Sequence, residues 1–406
     1  MKKLSKKPLS KLLSFGLAVI FAFALTACQD NTPAPTPVTP APAPVETQQA
    51  EPDTSTEPAV TPVEPTEEPT PAASTNKKVG VSMPTKSLQR WNQDGSYLQE
   101  KLTAAGYEVD LQYGGENEVP MQVSQIENMI AGDCGVLVIA AIDGDALTEV
   151  LAQAKAKNIS VIAYDRLIMG TDAVTYYATF DNWKVGTMQG QYLVDNLDLA
   201  GTEGPYNIEF FTGDPGDNNI NFFFGGAMEV LQPYLDSGVL VCPSGETEKT
   251  VVATLAWSSE NAQKRMENLI TSNGYSPSGK KLDAVMCSND STAQGVTTAL
   301  SNAGYTADNF PLITGQDCDI ISVKNMIAGT QSMSVFKDTR TLAEKVVSMV
   351  EAIAGGGKPD INDTKTYDNG TGVIPSFLCD PVEGTVDNYK TLLIDTGYYS
   401  ESDLQN

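Results

Sequence analysis

From Lys78 onward, short runs of β-branched and aliphatic residues alternate with longer stretches of helical period, and no other feature of the sequence restricts the fold so tightly. Such alternation is the signature of βαβ units, whose strands lie parallel and whose helices cover both faces of the sheet. The spacing predicts strands over 78–83, 108–113, 135–140, 160–163 and 176–179, with helices over 88–105, 119–131 and 145–156 between them. The pattern then starts again. Helices are expected over 183–197, 218–235, 259–271 and 292–303, and strands over 206–211, near Val239, and over 283–287, 310–314 and 333–336. A chain of 406 residues also exceeds what one hydrophobic core normally serves. The expected fold class is therefore α/β, two doubly wound parallel-sheet lobes with the first cut near Phe180.

The two halves repeat a detail. In the first, the strand at 135–140 leads into Asp143 and a helix, and the next strand ends at Asp165; in the second, 283–287 leads into Asp290 and a helix, and the next strand ends at Asp317. Ligands of open parallel sheets sit at the carboxyl ends of the strands, so each half presents acids at its mouth, and two mouths facing across a hinge make a cleft. Asp143 and Asp290 precede helices and are read as caps rather than ligand contacts.

The chain before Lys77 cannot contribute to that core. Residues 1–27 hold five Lys (Lys2, Lys3, Lys6, Lys7, Lys11) and no acid, followed by an apolar run over 12–25 that is short for a membrane span and reads as an export signal. Leu25-Thr26-Ala27-Cys28 resembles a bacterial lipobox, whose Cys is lipidated and becomes the mature N-terminus; a plain signal cut after Ala27 or a buried Cys28 are the alternatives. Residues 29–76 carry half of the 24 Pro, eight acids, and neither a basic nor an aromatic residue, the composition of a disordered tether. Residues 77–406 then hold 21 basic and 43 acidic residues, which argues against a phosphate-backbone partner. There is no His, so imidazole-based catalysis and the usual His-rich metal sites are excluded. Besides Cys28 there are five Cys (Cys134, Cys242, Cys287, Cys318, Cys379) with no C-x-x-C, so at least one is unpaired, most are expected to be buried, and neither metal nor cofactor is implied.

Candidate ligand residues lie where strands end. Asp165-Arg166 follows the apolar strand and pairs acceptors with a fork of donors, which suits hydroxyls that both donate and accept; a structural ion pair closing the loop is the alternative. Lys86, Arg90 and Trp91 leave the first strand together, and an indole beside polar hooks suits the C–H face of a sugar. The turn-rich GDPGDNN places Asp217, Asn218 and Asn219 at a helix start, where one of the two Asn is expected to exceed capping and meet a ligand. Trp257, Asn289 and Asp317 occupy further loops, and Lys337 is the cation expected at a hinge.

Together, VGVSMPTKSLQRW, VLVIAAIDG, VIAYDRLI, YYATFDN, GDPGDNN, SGETE, TGQDCD, SVFKDTR and NDTKTYDNG resemble type I periplasmic binding proteins, in the branch of xylose-binding and ChvE-type multiple-monosaccharide receptors, from about Val79 to the C-terminus. The resemblance implies a three-segment hinge, with lobe 1 at 77–180 plus 337–373 and lobe 2 at 181–336 plus 374–406. It implies ligand contacts at Lys86, Arg90, Trp91, Asp165, Arg166, Asp217, Asn219, Trp257, Asn289, Asp317 and Lys337. It further implies a monomeric, membrane-anchored receptor for one pyranose monosaccharide, handed to an ABC-type importer without any bond being broken. A sugar sensor for a membrane signalling kinase is the second expectation. A glycoside hydrolase using paired carboxylates is the third, and there the candidate acids sit beside Arg166, Asn219 or Gln316, surroundings that favour binding hydroxyls over raising an acid's pKa.

Overall fold

The computed structural model describes residues 76–405; the export signal, Cys28 and the Pro-rich stretch through Thr75 lie outside them. The first lobe is built from β1 (Lys78–Met83), α1 (Gln89–Ala104), β2 (Glu108–Tyr113), α2 (Val119–Ala131), β3 (Val136–Ile139), α3 (Thr148–Ala156), β4 (Ser160–Tyr164) and β5 (Val174–Phe180). The second contains α4 (Asn182–Asn196), β6 (Tyr206–Phe211), α5 (Asn219–Ser237), β7 (Leu240–Val241), α6 (Ser259–Asn273), β8 (Ala284–Cys287), α7 (Asp290–Asn302), β9 (Leu312–Ile313), α8 (Ile320–Ala328) and β10 (Met333–Phe336). The chain then returns through α9 (Thr339–Ala354) and β11 (Ser376–Cys379), and ends with β12 (Val382–Thr385) and α10 (Glu401–Gln405).

Lobe 1 carries a six-stranded parallel sheet ordered β11-β5-β4-β3-β1-β2, and lobe 2 a four-stranded parallel sheet ordered β7-β6-β8-β9. The period of two along each strand feeds both faces. In β3, Val136 and Val138 face one core cluster with Trp91, Leu98 and Leu102 of α1, while Leu137 and Ile139 face another with Ile126, Met129 and Leu151. Lobe 2 repeats the scheme, with Val285 and Cys287 of β8 on one side and Ala284 and Met286 on the other. The α9 helix presents Leu342, Ala343, Val346, Val347 and Val350, spaced by helical turns, to the first core, so it packs with lobe 1.

Two differences from expectation bear on the lobes and the cleft. The return to lobe 2 was expected after Val373, but Ser376–Cys379 pairs in parallel with Tyr177–Phe180 in the first sheet, so the third crossing falls between β11 and β12. The β12 strand then pairs antiparallel with β10. The helix expected from Asp145 starts at Thr148, because Asp143 Oδ1 accepts the Asp145 N–H in a turn and thus caps no helix. Asp290 is no cap either. Asn289 Oδ1 caps α7 through the Thr292 N–H, while Asp290 is the first helical residue, fully buried, and accepts hydrogen bonds from Ser334, Gln331 and the Asp319 N–H.

Candidate functional site

The carboxyl ends of the two sheets face one another across a closed cleft, and a small cavity lined from both lobes lies between them. Ten of the eleven expected residues line it, from both lobes: Arg90, Trp91, Asp165 and Arg166 on one side, Asp217, Asn219, Trp257, Asn289 and Asp317 on the other, and Lys337 where the chain recrosses. Lys86 does not. It lies exposed before α1 with its Nζ 4.7 Å from the centre of the Tyr113 ring, on the outer face of lobe 1, because the chain enters α1 only at Gln89 and carries Arg90 and Trp91 inward. Of the two asparagines, Asn219 lines the cavity, while Asn218 accepts a bond from the Asn221 side chain.

Arg90 is the electrostatic centre. Its Nη2 lies 3.0 Å from Asp94 and 2.9 Å from Asp165, and its Nη1 lies 3.3 Å from Asp317 of the opposite lobe. Lys337 Nζ is 2.9 Å from Asp317 and 3.9 Å from Asp165. Arg166 was expected to pair with its neighbour Asp165; instead its Nε reaches across the cleft to Asp217 at 2.9 Å, and its Nη1 donates to the Ala141 carbonyl. Consecutive side chains diverge at a strand end, so each acid and cation finds a partner from another element. Asn219 completes the crossing by donating from Nδ2 to the Asp165 carbonyl and accepting from Tyr177.

Burial and these partners set the protonation states. Burial pushes the Asp165 carboxyl up, but Arg90, Lys337 and Arg166 together outweigh it and hold the group below the usual range. For Asp217 burial wins over Arg166, and its pKa rises. Asp94, fully buried behind Arg90, is pushed up to about 6 by burial against the opposing Arg90 charge and the Tyr164 hydrogen bond. Asp319 is pushed up to about 7, first by burial and then by the Asp317 charge.

Aromatic rings complete the walls. Arg90 and Arg166 sit 4.4 and 5.1 Å from the Trp91 ring centre, so two guanidinium groups lie against one indole. Phe223 meets Trp257 edge to face at 6.2 Å, and Gly213 leaves room for that indole: a Cβ there would lie 2.0 Å from Cζ2 of Trp257. Three lining residues have left-handed backbone, Asp165 (φ 59°), Trp257 (φ 54°) and Asp317 (φ 96°). Such strain concentrates where side-chain direction matters more than backbone comfort. Asp165 and Asp317, the two acids singled out by the repeat between the halves, share it.

Four further residues line the cavity: Leu88, Phe223, Gln316 and Asp319. Phe223 stands one helical turn after Asn219, and Gln316 and Asp319 flank Asp317 in TGQDCD, so helical period and proximity were the available signals. Among the described residues, the indole N–H groups of Trp91 and Trp257, Gln316 Oε1 and Asp319 Oδ1 are buried in this lining without a protein hydrogen-bond partner. Buried polar atoms are seldom left so, and these leave both donors and acceptors for a guest.

Two sheet-bearing lobes, three crossings and a charged, indole-walled cavity between strand ends define a hinged solute-binding protein. The chain belongs to the periplasmic binding protein family, whose domain matches residues 79–358. Among its relatives, the multiple sugar-binding periplasmic protein SbpA of Azospirillum brasilense is 49% identical over 332 residues, 81% of this chain and 92% of that protein. The multiple sugar-binding periplasmic receptor ChvE of Rhizobium radiobacter is 48% identical over 338 residues, 82% of this chain and 94% of that protein. A solved ABC transporter solute binding protein from Clostridium phytofermentans, with bound β-D-glucose, matches with a TM-score of 0.79 at 62% identity, covering 81% of this chain and all of that one. The family expected from the motifs is thus the family found.

Proposed function

We propose that this chain captures one pyranose monosaccharide, of the xylose, glucose, galactose and arabinose class, in the interlobe cavity and delivers it to an ABC-type importer. The carrying observation is the lining itself: carboxylates held beside guanidinium and ammonium groups, with indole faces on both lobes. A sugar hydroxyl donates and accepts at once, which matches a carboxylate and a cation side by side, and the apolar face of a pyranose matches an indole. Relatives that carry sugar-binding names at close to half identity, and one with glucose bound, support the same reading. The ligand is bound and released without chemistry.

Lipid attachment at Cys28, with residues 29–76 as the tether, would keep the receptor at the membrane, since an acyl chain supplies anchoring and no recognition. The test is a panel of aldoses, nucleosides and amino acids followed by melting and calorimetry, on the chain from Asn76 and on the full chain. Aldopyranoses alone should raise the melting temperature, equally for both forms. Stabilisation by nucleosides or amino acids instead of aldoses would overturn the assignment.

A further inference from the structure

The first N–H groups of a helix have no partner within it, and the residue just before the helix normally caps them with its own side chain. At α8 that residue is Asp319, an acid well suited to the task, yet its side chain makes no capping bond. Its carboxylate turns into the cavity instead, 8% exposed, with Oδ1 unpartnered among the described residues. The cap comes from the other lobe. Gln89, the first residue of α1, accepts the Ile320 N–H at Oε1 over 3.1 Å and donates from Nε2 to the Tyr399 hydroxyl over 2.6 Å. That hydroxyl donates in turn to the Cys318 carbonyl over 2.9 Å, so every hydrogen of the network has one consistent place.

Gln89 lies on lobe 1 and is half-buried, whereas Ile320 and Tyr399 pack with the Cys318, Val323 and Met326 cluster of lobe 2. The contact stands at the rim, where a groove beside the cavity is walled by Ser87, Leu88 and Gln89 of one lobe and by Ser258, Ser259 and Asp319 of the other. Other cross-lobe contacts lie nearer the hinge: Arg340 donates to the Thr396 carbonyl and Thr339 bonds Tyr398, both within three residues of the crossing at Lys337, and the Tyr398 hydroxyl also meets Gln93, one turn along α1 from Gln89. A rotation that opens the cleft would part the start of α1 from the start of α8, which among the described residues only the Gln89 contact joins here.

We propose that Gln89 is a positioning residue that holds the cleft shut over its guest, by capping α8 across the lobes and clamping Tyr399, so that affinity depends on a side chain that does not line the cavity. This frees Asp319 to serve the cavity and couples closure to the placement of the Gln316–Asp319 segment. The inference rests on the sugar reading above.

The experiment measures D-glucose and D-xylose binding, by calorimetry and by dissociation kinetics, for the wild type, Gln89→Met, Tyr399→Phe and the double variant. Methionine keeps the length and stem of the side chain and removes both hydrogen bonds. With one to two bonds lost from the closed state alone, Gln89→Met should bind roughly five- to thirtyfold more weakly, nearly all of it as faster release. The two single effects should not add in the double variant, because they remove one network. The ligand-free melting temperature of Gln89→Met should stay at the wild-type value. Native affinity in Gln89→Met, or a loss matched by lower ligand-free stability, would make the contact mere scaffold and overturn the proposal. A wild type that binds neither sugar removes the sugar reading and this inference with it; a wild type that binds alongside an indistinguishable variant removes only the latch.

Discussion

Replacing Asp317 with asparagine keeps the shape of the side chain and removes its charge. Asp317 belongs to lobe 2, and its Oδ1 lies 2.9 Å from Lys337 Nζ and 3.3 Å from Nη1 of Arg90 in lobe 1. Arg90 would keep Asp94 and Asp165, but the nearest remaining carboxylate to Lys337 is Asp165 at 3.9 Å. A hydrogen bond from a sugar hydroxyl to a carboxylate contributes roughly 1.5–3 kcal/mol, and a weakened cross-lobe ion pair adds to the loss. Because Arg90 and Asp317 meet only across the cleft, most of the deficit falls on the closed, liganded state. A total of about 2–4 kcal/mol corresponds to binding weakened roughly thirty- to thousandfold. Calorimetry with D-glucose, run beside melting of the ligand-free protein, reads both quantities. Affinity within a few-fold of wild type together with a lowered ligand-free melting temperature would refute the reasoning and leave Asp317 as scaffold.

Three further outcomes are expected. Gly213→Ala should weaken glucose binding about two- to tenfold by pushing the Trp257 indole out of place, and native affinity in a folded variant would show that this face is unused. Stability should rise as pH falls from 8 to 5, because a carboxyl raised to about 7 takes up a proton in the folded state before the unfolded chain does; that contribution is complete below the unfolded pKa of about 4 and is lost as pH rises through the folded one. Asp319 faces Asp317, Asp290, Arg90 and Lys337, and Asp319→Asn should flatten the gain; an unchanged slope of melting temperature against pH would assign the effect elsewhere. Lys86→Ala should leave sugar affinity unaltered, and a large loss measured by calorimetry would return Lys86 to the ligand.

Much of this architecture is legible in the sequence because the apolar period is strong where strands are buried on both faces, as over 78–83 and 333–336, whose bounds match to the residue. The return of the chain was read less well. In Ile374-Pro-Ser-Phe-Leu-Cys379 the run is short and a proline interrupts it, and its partner in the first sheet lies about two hundred residues earlier, which no local pattern reveals. The cavity residues were visible because their chemistry follows strand ends, as with Asp165, Asp317 and Lys337. Pairing was not: adjacency suggested Asp165 with Arg166, whereas the fold gives Asp165 to Arg90 and Arg166 to Asp217. Lys86 and Arg90 are separated by one helical turn in number, yet α1 begins between them, so the spacing carried no common face. Phe223 and Asp319 escaped notice because one lies in an apolar run and the other beside a stronger candidate.

The interleaving of the lobes along the chain also sets an order of assembly. The clusters flanking the four-stranded sheet come wholly from residues 192–313, so lobe 2 has a nearly complete core as soon as that stretch is available. Lobe 1 does not, for its first core includes Leu342, Val346, Val350 and Cys379 alongside Val79 and Val81. Its five early strands must stay partly uncovered until α9 and β11 arrive, and closing so long an intervening stretch is slow unless that stretch has already compacted. Folding is therefore expected to run from the middle of the chain outward. Destabilising α9, for instance with Leu342→Ala at a cost of about 2–5 kcal/mol, would burden the late step and leave lobe 2 to form on schedule.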